Sequence, residues 1–152
     1  MTIDPRLDHD VRWAEAPGGK PVLVGYPDGG GVPTAGYGHT GPDVLIGRTY
    51  TAQQCEDWLV ADLTRFSLRA QTLPEWTALD TPCRQNAIIE CIFNLGDSHW
   101  YSEFPATRRS ILAQSWQAAH DNLLNSPLWI KEVGIGRVTR LANYLLTGEY
   151  PS

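Results

Sequence analysis

The hydrophobic and polar positions of this chain change rhythm twice along its length. Residues 5–15 carry a short helical pattern, and Pro17-Gly18-Gly19 must end it, because such a cluster breaks regular structure. From there to about Thr49 no helical period is present. Glycine opens backbone angles closed to other residues and proline fixes its own, so this stretch reads as turns. Val32, Thr34, Ala35 and Tyr37 form short strand-like pieces between those turns. The prediction is a small, tightly turned hairpin that presents Asp28 and Thr34 at its surface.

Helical spacing returns at Thr51. Thr51 and Gln54 make a capping box, and Cys55, Trp58, Leu59, Leu63 and Phe66 follow at helical intervals. Thr81 and Pro82 announce a further helix as its cap and first residue. Ala87, Ile88, Cys91, Ile92 and Leu95 continue it, and Gly96 stops it. Being apolar on much of its circumference, this helix should be central and buried. Shorter helices are predicted around residues 105–114, 116–124 and 127–132, and a last one from Arg137 to Leu146 that ends at Gly148. The expected fold class is α+β in a single domain, 1–152. A small hairpin lobe, about 16–50, is inserted into a mainly helical lobe of residues 1–15 and 51–152. A cleft between two such lobes is a natural place for a ligand.

Composition narrows the class. The chain is 42% hydrophobic and 19% charged, which fits a soluble globular protein and excludes disorder. Six tryptophans and six tyrosines exceed the needs of a minimal core, so some can line a groove while most pack inside. A net charge of -5 without a basic run gives nucleic-acid binding no electrostatic footprint. The same sign supplies no long-range attraction to an anionic polymer. No stretch approaches the roughly 20 apolar residues that span a membrane. The opening MTIDPRLDHD lacks the basic and apolar regions of a signal peptide, so the chain is expected to start in the cytoplasm. Cys55, Cys83 and Cys91 are odd in number and show no close pair, so reduced thiols are expected. The histidines are scattered, and neither a metal nor another cofactor is expected.

Hydrolysis of a glycosidic bond needs two carboxyl groups on opposite sides of it, one protonated and one ionised. Asp28 lies on the hairpin turn, where backbone amides and water would solvate its charge. Glu15 ends the first helix beside the apolar Trp13 and Ala14, which suits the protonated partner. Thr34 could hydrogen-bond a water between Asp28 and a sugar. Each also has a structural reading, since aspartate caps turns, a helix-end glutamate is commonly solvated and threonine fills strands.

Tyr26-Pro27-Asp28, five residues, and then Thr34-Ala35-Gly36-Tyr37-Gly38-His39-Thr40 resembles the signature of phage-type lysozymes, the endolysins of glycoside hydrolase family 24. Leu79 to Ala87, leading to Ile92-Phe93-Asn94-Leu95-Gly96, is similar to that family's long central helix. Ser126-Pro127-Leu128-Trp129, Gly136-Arg137-Val138-Thr139-Arg140 and Leu146-Thr147-Gly148 resemble its C-terminal helices. The resemblance implies a lysozyme-like fold and an enzyme that cleaves the bond between N-acetylmuramic acid and N-acetylglucosamine in bacterial peptidoglycan. A phage would use it to burst its host. It would act as a monomer, without stable membrane insertion, and reach the wall through a holin-type lesion.

The resemblance also implies roles. Glu15 would be the general acid, Asp28 would activate water or stabilise the sugar cation, and Thr34 would position that water. Thr40 from the hairpin, with Phe93, Thr107 and Asn122 from the helical lobe, would contact the saccharide. The alternative is core for Phe93 and cap or surface for the other three. Arg137 is expected beside Glu15, and His39 is expected to pack against the helical lobe and pair with an acid there. The chain departs from the family at one point. The family's usual spacing puts the acid at Gly19, whereas the carboxylate in reach is Glu15, with Ala16-Pro17-Gly18-Gly19 as an insertion. Asp8 and Asp10 sit further upstream on the same helix. A lytic transglycosylase, which uses one acid and closes an anhydro ring, and a module that binds peptidoglycan without cutting it are the competing functions. The presence of Asp28 with Thr34 favours hydrolysis.

Overall fold

Asp4 opens the first helix, its carboxylate accepting from the Arg6 backbone N–H at 2.8 Å with Pro5 in the first turn. Proline suits that position because its missing N–H would have no helical partner there. The structure, a computed structural model, describes residues 3–152 and divides into two compact units that meet at Arg65 and Phe66.

The first unit holds helix α1 (Pro5–Glu15), strands β1 (Val22–Pro27), β2 (Pro33–Gly36) and β3 (His39–Thr40), and most of helix α2 (Ala52–Ala70). α1 stops where the sequence predicts, and Gly18 and Gly19 turn the chain with φ of 66° and 70°. Gly19 lies flat against the Trp13 indole, where a Cβ would come within 3.0 Å of the ring. The strands form one antiparallel sheet in the order β1-β2-β3. Tyr26 pairs with Thr34, and Thr34 with Thr40, so these three residues lie in a row across the sheet. Paired residues of antiparallel strands share a face. The expected capping box opens α2: the Thr51 N–H donates to Gln54 at 2.8 Å, and the Gln54 N–H donates back to Thr51 at 3.1 Å. Cys55, Leu59 and Leu63 are buried along it, whereas Trp58 and Phe66 are partly exposed.

The second unit is helical. α3 (Pro82–Leu95) runs from the Thr81 cap to Gly96, and Ala87, Ile88, Cys91 and Ile92 are fully buried. Around it come α4 (Asp97–Glu103), α5 (Pro105–Leu112), α6 (Trp116–Leu124), α7 (Pro127–Val133) and α8 (Ile135–Thr147). α8 packs on α3 and α6. Its end is closed by Gly148 in the left-handed region and by Arg84, which donates to the carbonyls of Leu145 and Leu146 at 2.8 and 3.0 Å. That guanidinium also lies 3.9 Å from the centre of the Trp116 ring. α4 has no counterpart in the sequence prediction. Its seven residues, DSHWYSE, bury only Trp100, which is too little to set a helical period. Trp100 stacks on Phe104 and donates its indole N–H at 3.0 Å to Glu75, a fully buried carboxylate that Arg108 also holds at 3.0 Å.

Eight helices with a small antiparallel sheet, counted among the described residues, make the α+β class that the sequence predicts. The three cysteines are buried thiols. Among the described residues no helix is long and apolar enough to cross a membrane.

Candidate active site

Glu15 is the last residue of α1, and its carboxyl group lies directly over the backbone of Gly38. A Cβ at Gly38 would sit 2.6 Å from Glu15 Oε2, well inside contact distance, and Gly38 has a φ of +74°. Only glycine satisfies both demands. The glycines of the Thr34–Thr40 stretch therefore do more than turn the chain, since one of them makes room for the carboxyl group.

A brace one turn back fixes this end of α1. Arg12 donates to the Tyr37 hydroxyl at 2.7 Å, to both carboxylate oxygens of Glu56 (2.9 Å at Oε2) and to Asp8 at 3.1 Å. The Tyr37 hydroxyl donates to the same Glu56 at 2.9 Å. Helix α1, the turn after β2 and helix α2 thus share one guanidinium. The hydrogen bond from Arg12 holds the Glu56 carboxyl below its ordinary value of 4.5, outweighing burial, and Tyr37 adds to it. Glu56 raises the Arg12 guanidinium in turn. A depressed carboxyl group contributes stability above its unfolded pKa and loses that contribution as pH falls. Glu56→Gln should therefore lower the thermal midpoint at pH 7, and the gap from the parent should close below about pH 4.5. A gap that stays constant from pH 7 to pH 3 would mean that the charge plays no part.

Asp28 follows β1 on the hairpin turn and is exposed. Its Oδ1 accepts from the backbone N–H groups of Gly30 at 2.8 Å and Val32 at 2.9 Å. Thr34 is a correction to the sequence reading. It is 4% exposed, not presented at the hairpin surface. Its hydroxyl donates to the Val32 carbonyl at 2.9 Å, and the Asp28 N–H donates to the same carbonyl at 3.0 Å. A single residue, Val32, thus fixes both Asp28 and Thr34. With its proton committed, Thr34 Oγ1 can only accept.

Tyr26, which pattern reading left unassigned, pairs with Thr34 in the sheet and lies within the fields of both Glu15 and Asp28. Burial first, then Glu15, then Asp28, push its phenol above the usual tyrosine range. Thr40, at the other end of the row, is exposed. His39 is held on both sides. Its Nδ1 lies 2.7 Å from Asp62 on α2, its Nε2 lies 3.1 Å from Asp43, and its ring stacks on Trp58 at 4.4 Å. Burial pushes Asp43 up, but the hydrogen bond and charge of His39 outweigh it and hold that carboxyl below its ordinary value. His39 anchors β3, and both its nitrogens are spoken for.

The remaining residues singled out from the sequence belong to the second unit. Phe93 is half-buried and meets Phe66 edge-on at 5.6 Å. Thr107 is 1% exposed, which makes it a packing residue of α5 in this structure rather than a cap or a surface group. The Asn122 amide donates to Ser110 at 2.9 Å. Arg137, in the first turn of α8, donates to the buried Glu90 at 2.9 Å, and Arg140 donates to the same carboxylate at 2.7 Å. Among the described residues no cluster of His, Cys, Asp and Glu could hold a metal ion.

The first unit thus holds a carboxyl group at a helix end against Gly38, and an aspartate and a threonine fixed by Val32. Comparison with known proteins gives the class: residues 21–143 match the family described as phage lysozyme, and the chain belongs to that family. It is 33% identical over 116 residues to the endolysin of Salmonella phage P22, a match covering 72% of this chain and 73% of that one. It is 35% identical over 86 residues to the SAR-endolysin of bacteriophage PS119, covering 53% of this chain and 50% of that one. The chain thus spans about half the length of the SAR-endolysins that it matches. The fold is that of the endolysin from Escherichia coli O157:H7 phage FAHEc1, with a TM-score of 0.74 at 21% identity over 100% of this chain and 98% of that one. Glu15 lies ahead of the residues that match the family, whereas Asp28 and Thr34 lie within them.

Proposed function

We propose that this chain is an endolysin that hydrolyses the bond between N-acetylmuramic acid and N-acetylglucosamine in peptidoglycan. The observation that carries the reading is the Val32 peptide, which holds Asp28 and Thr34 together on the sheet that also seats Glu15 over Gly38. Glu15 gives its proton to the glycosidic oxygen, which leaves on the N-acetylglucosamine side as a hydroxyl. A water molecule donates one hydrogen to Asp28 Oδ2 and the other to Thr34 Oγ1, so a lone pair of its oxygen is free to attack C1 of the muramic sugar. The proton that it loses passes to Asp28. Both atoms suit this role, since Oδ1 of Asp28 and the hydroxyl proton of Thr34 are already engaged by the backbone. Thr40, Phe93 and Asn122 are the proposed sugar contacts, whereas Thr107 is buried and serves packing. His39 is proposed to hold the sheet in place. As part of the same proposal, supported by the family resemblance alone, the chain works as a monomer and reaches the wall through a holin-type lesion. The test is the turbidity of permeabilised bacterial cells. The proposal expects it to fall on addition of the protein, and cells that bind the protein without clearing would instead support a module that binds without cutting.

A further inference from the structure

Tyr37 and Gly38 are the two residues that join β2 to β3, and each is tied to α1 by a contact of its own. Gly38 lies under the Glu15 carboxyl group, where a Cβ would sit 2.6 Å from Oε2. Tyr37 is 3% exposed, too deep to touch a polymer in solution. Its hydroxyl accepts from Arg12 at 2.7 Å and donates to Glu56 at 2.9 Å. The Arg12 guanidinium also lies 4.6 Å from the centre of the Tyr37 ring. Arg12 stands one helical turn before Glu15, so the two side chains leave the same face of α1. A phenol has one proton to donate and lone pairs to accept with, and both roles are filled here. Arg12 holds Glu56 and Asp8 directly, so what the hydroxyl adds is the link from those ion pairs to the turn.

We infer that Tyr37 is a positioning residue of this site: its hydroxyl, held by Arg12 and Glu56, fixes the Gly38 backbone under Glu15 and so the place from which the acid gives its proton. The inference rests on the proposed role of Glu15 as the general acid. Gly38 has no side chain with which to anchor itself, so its neighbours must do it. His39 on one side is bound to Asp62 and Asp43, whereas Tyr37 on the other is bound to Arg12. Of the two, Tyr37 ties the seat of the acid to the helix that carries the acid. Both of its hydrogen bonds involve a charged partner, and such bonds are the strong, direction-holding ones. A carboxyl group lodged against a backbone shifts when that backbone shifts, and a reacting group loses rate steeply as it leaves its place.

The experiment compares kcat and KM of wild type, Tyr37→Phe, Glu15→Gln and the double variant on labelled, solubilised peptidoglycan, well below all four thermal midpoints. Phenylalanine keeps the buried ring and leaves Arg12 paired with Glu56 and Asp8, so the variant is expected to fold. The expected result is a kcat lowered about 10-fold, part of the roughly 100-fold that a misplacement of about 1 Å can cost, with KM within about twofold. In the Glu15→Gln background the same change should cost less than about twofold, because the group it positions is no longer an acid. Gly47→Ala strains a turn outside the brace and is the control for lost stability, so it should keep its kcat. A Tyr37→Phe enzyme with the wild-type kcat, equal losses in the two backgrounds, or a matching loss in Gly47→Ala would each overturn the inference and leave the proposed function standing. A Glu15→Gln enzyme as fast as wild type would overturn the acid assignment and this inference with it. A wild-type protein that hydrolyses nothing would overturn the proposed function itself.

Discussion

Glu15→Gln is expected to lower the rate of peptidoglycan hydrolysis by roughly 10²–10⁴-fold, the usual contribution of a general acid. The amide has nearly the shape of the carboxyl group, so the contact with Gly38 and the thermal midpoint should be kept. The competing carboxylates on α1 are both engaged. Asp8 is paired with Arg12 at 3.1 Å, and Asp10 lies 3.3 Å from Arg6 and is 8% exposed. If Glu15→Gln kept more than a tenth of the parent rate at an unchanged midpoint, the acid would have to be sought elsewhere.

Gly38→Ala should be nearly as damaging, for a reason separable from stability. The new Cβ would lie 2.6 Å from Glu15 Oε2, so the carboxyl group must move, and a misplacement of about 1 Å in a catalytic group can cost on the order of 100-fold. The φ of +74° adds about 1–3 kcal/mol of backbone strain. Gly47→Ala separates the two effects, because Gly47 has a φ of +85° with nothing within 4 Å of its absent Cβ. Both variants should lose stability to a similar extent, and Gly38→Ala alone should lose about 100-fold in kcat when assayed well below either midpoint. Equal activities would mean that Glu15 does not depend on this contact.

What the sequence discloses is what short-range chemistry controls. The bounds of α1, the Thr51–Gln54 capping box and the limits of α3 follow from caps and breakers within a few residues of each end, and they stand where the pattern puts them. Asp28 is legible for the same reason, as an aspartate whose side chain turns back onto the backbone of its own glycine-rich loop. Thr34 lies beneath the surface at which the sequence pattern puts it. Thr34, Ala35 and Gly36 are all buried along β2, so the strand has no alternation between an open and a covered face for a pattern to disclose. The brace of Arg12, Tyr37 and Glu56 joins positions 25 and 44 residues apart, and no local pattern announces such partners. Glu90 is harder still. It sits within the apolar run of α3, and its partners Arg137 and Arg140 lie 47 and 50 residues further on. Tyr26 has no task that a local pattern can disclose, because its place depends on the register that sets it against Thr34.

The central claim is that two carboxyl groups, Glu15 and Asp28, carry out hydrolysis rather than internal ring closure. Mass spectrometry of the fragments released from purified peptidoglycan tests this directly, because water and the muramic sugar's own hydroxyl leave different ends. The account predicts N-acetylmuramic acid with ordinary reducing ends. Fragments that end only in anhydro-muramic acid would contradict it, since no water would then have been activated by Asp28 and Thr34.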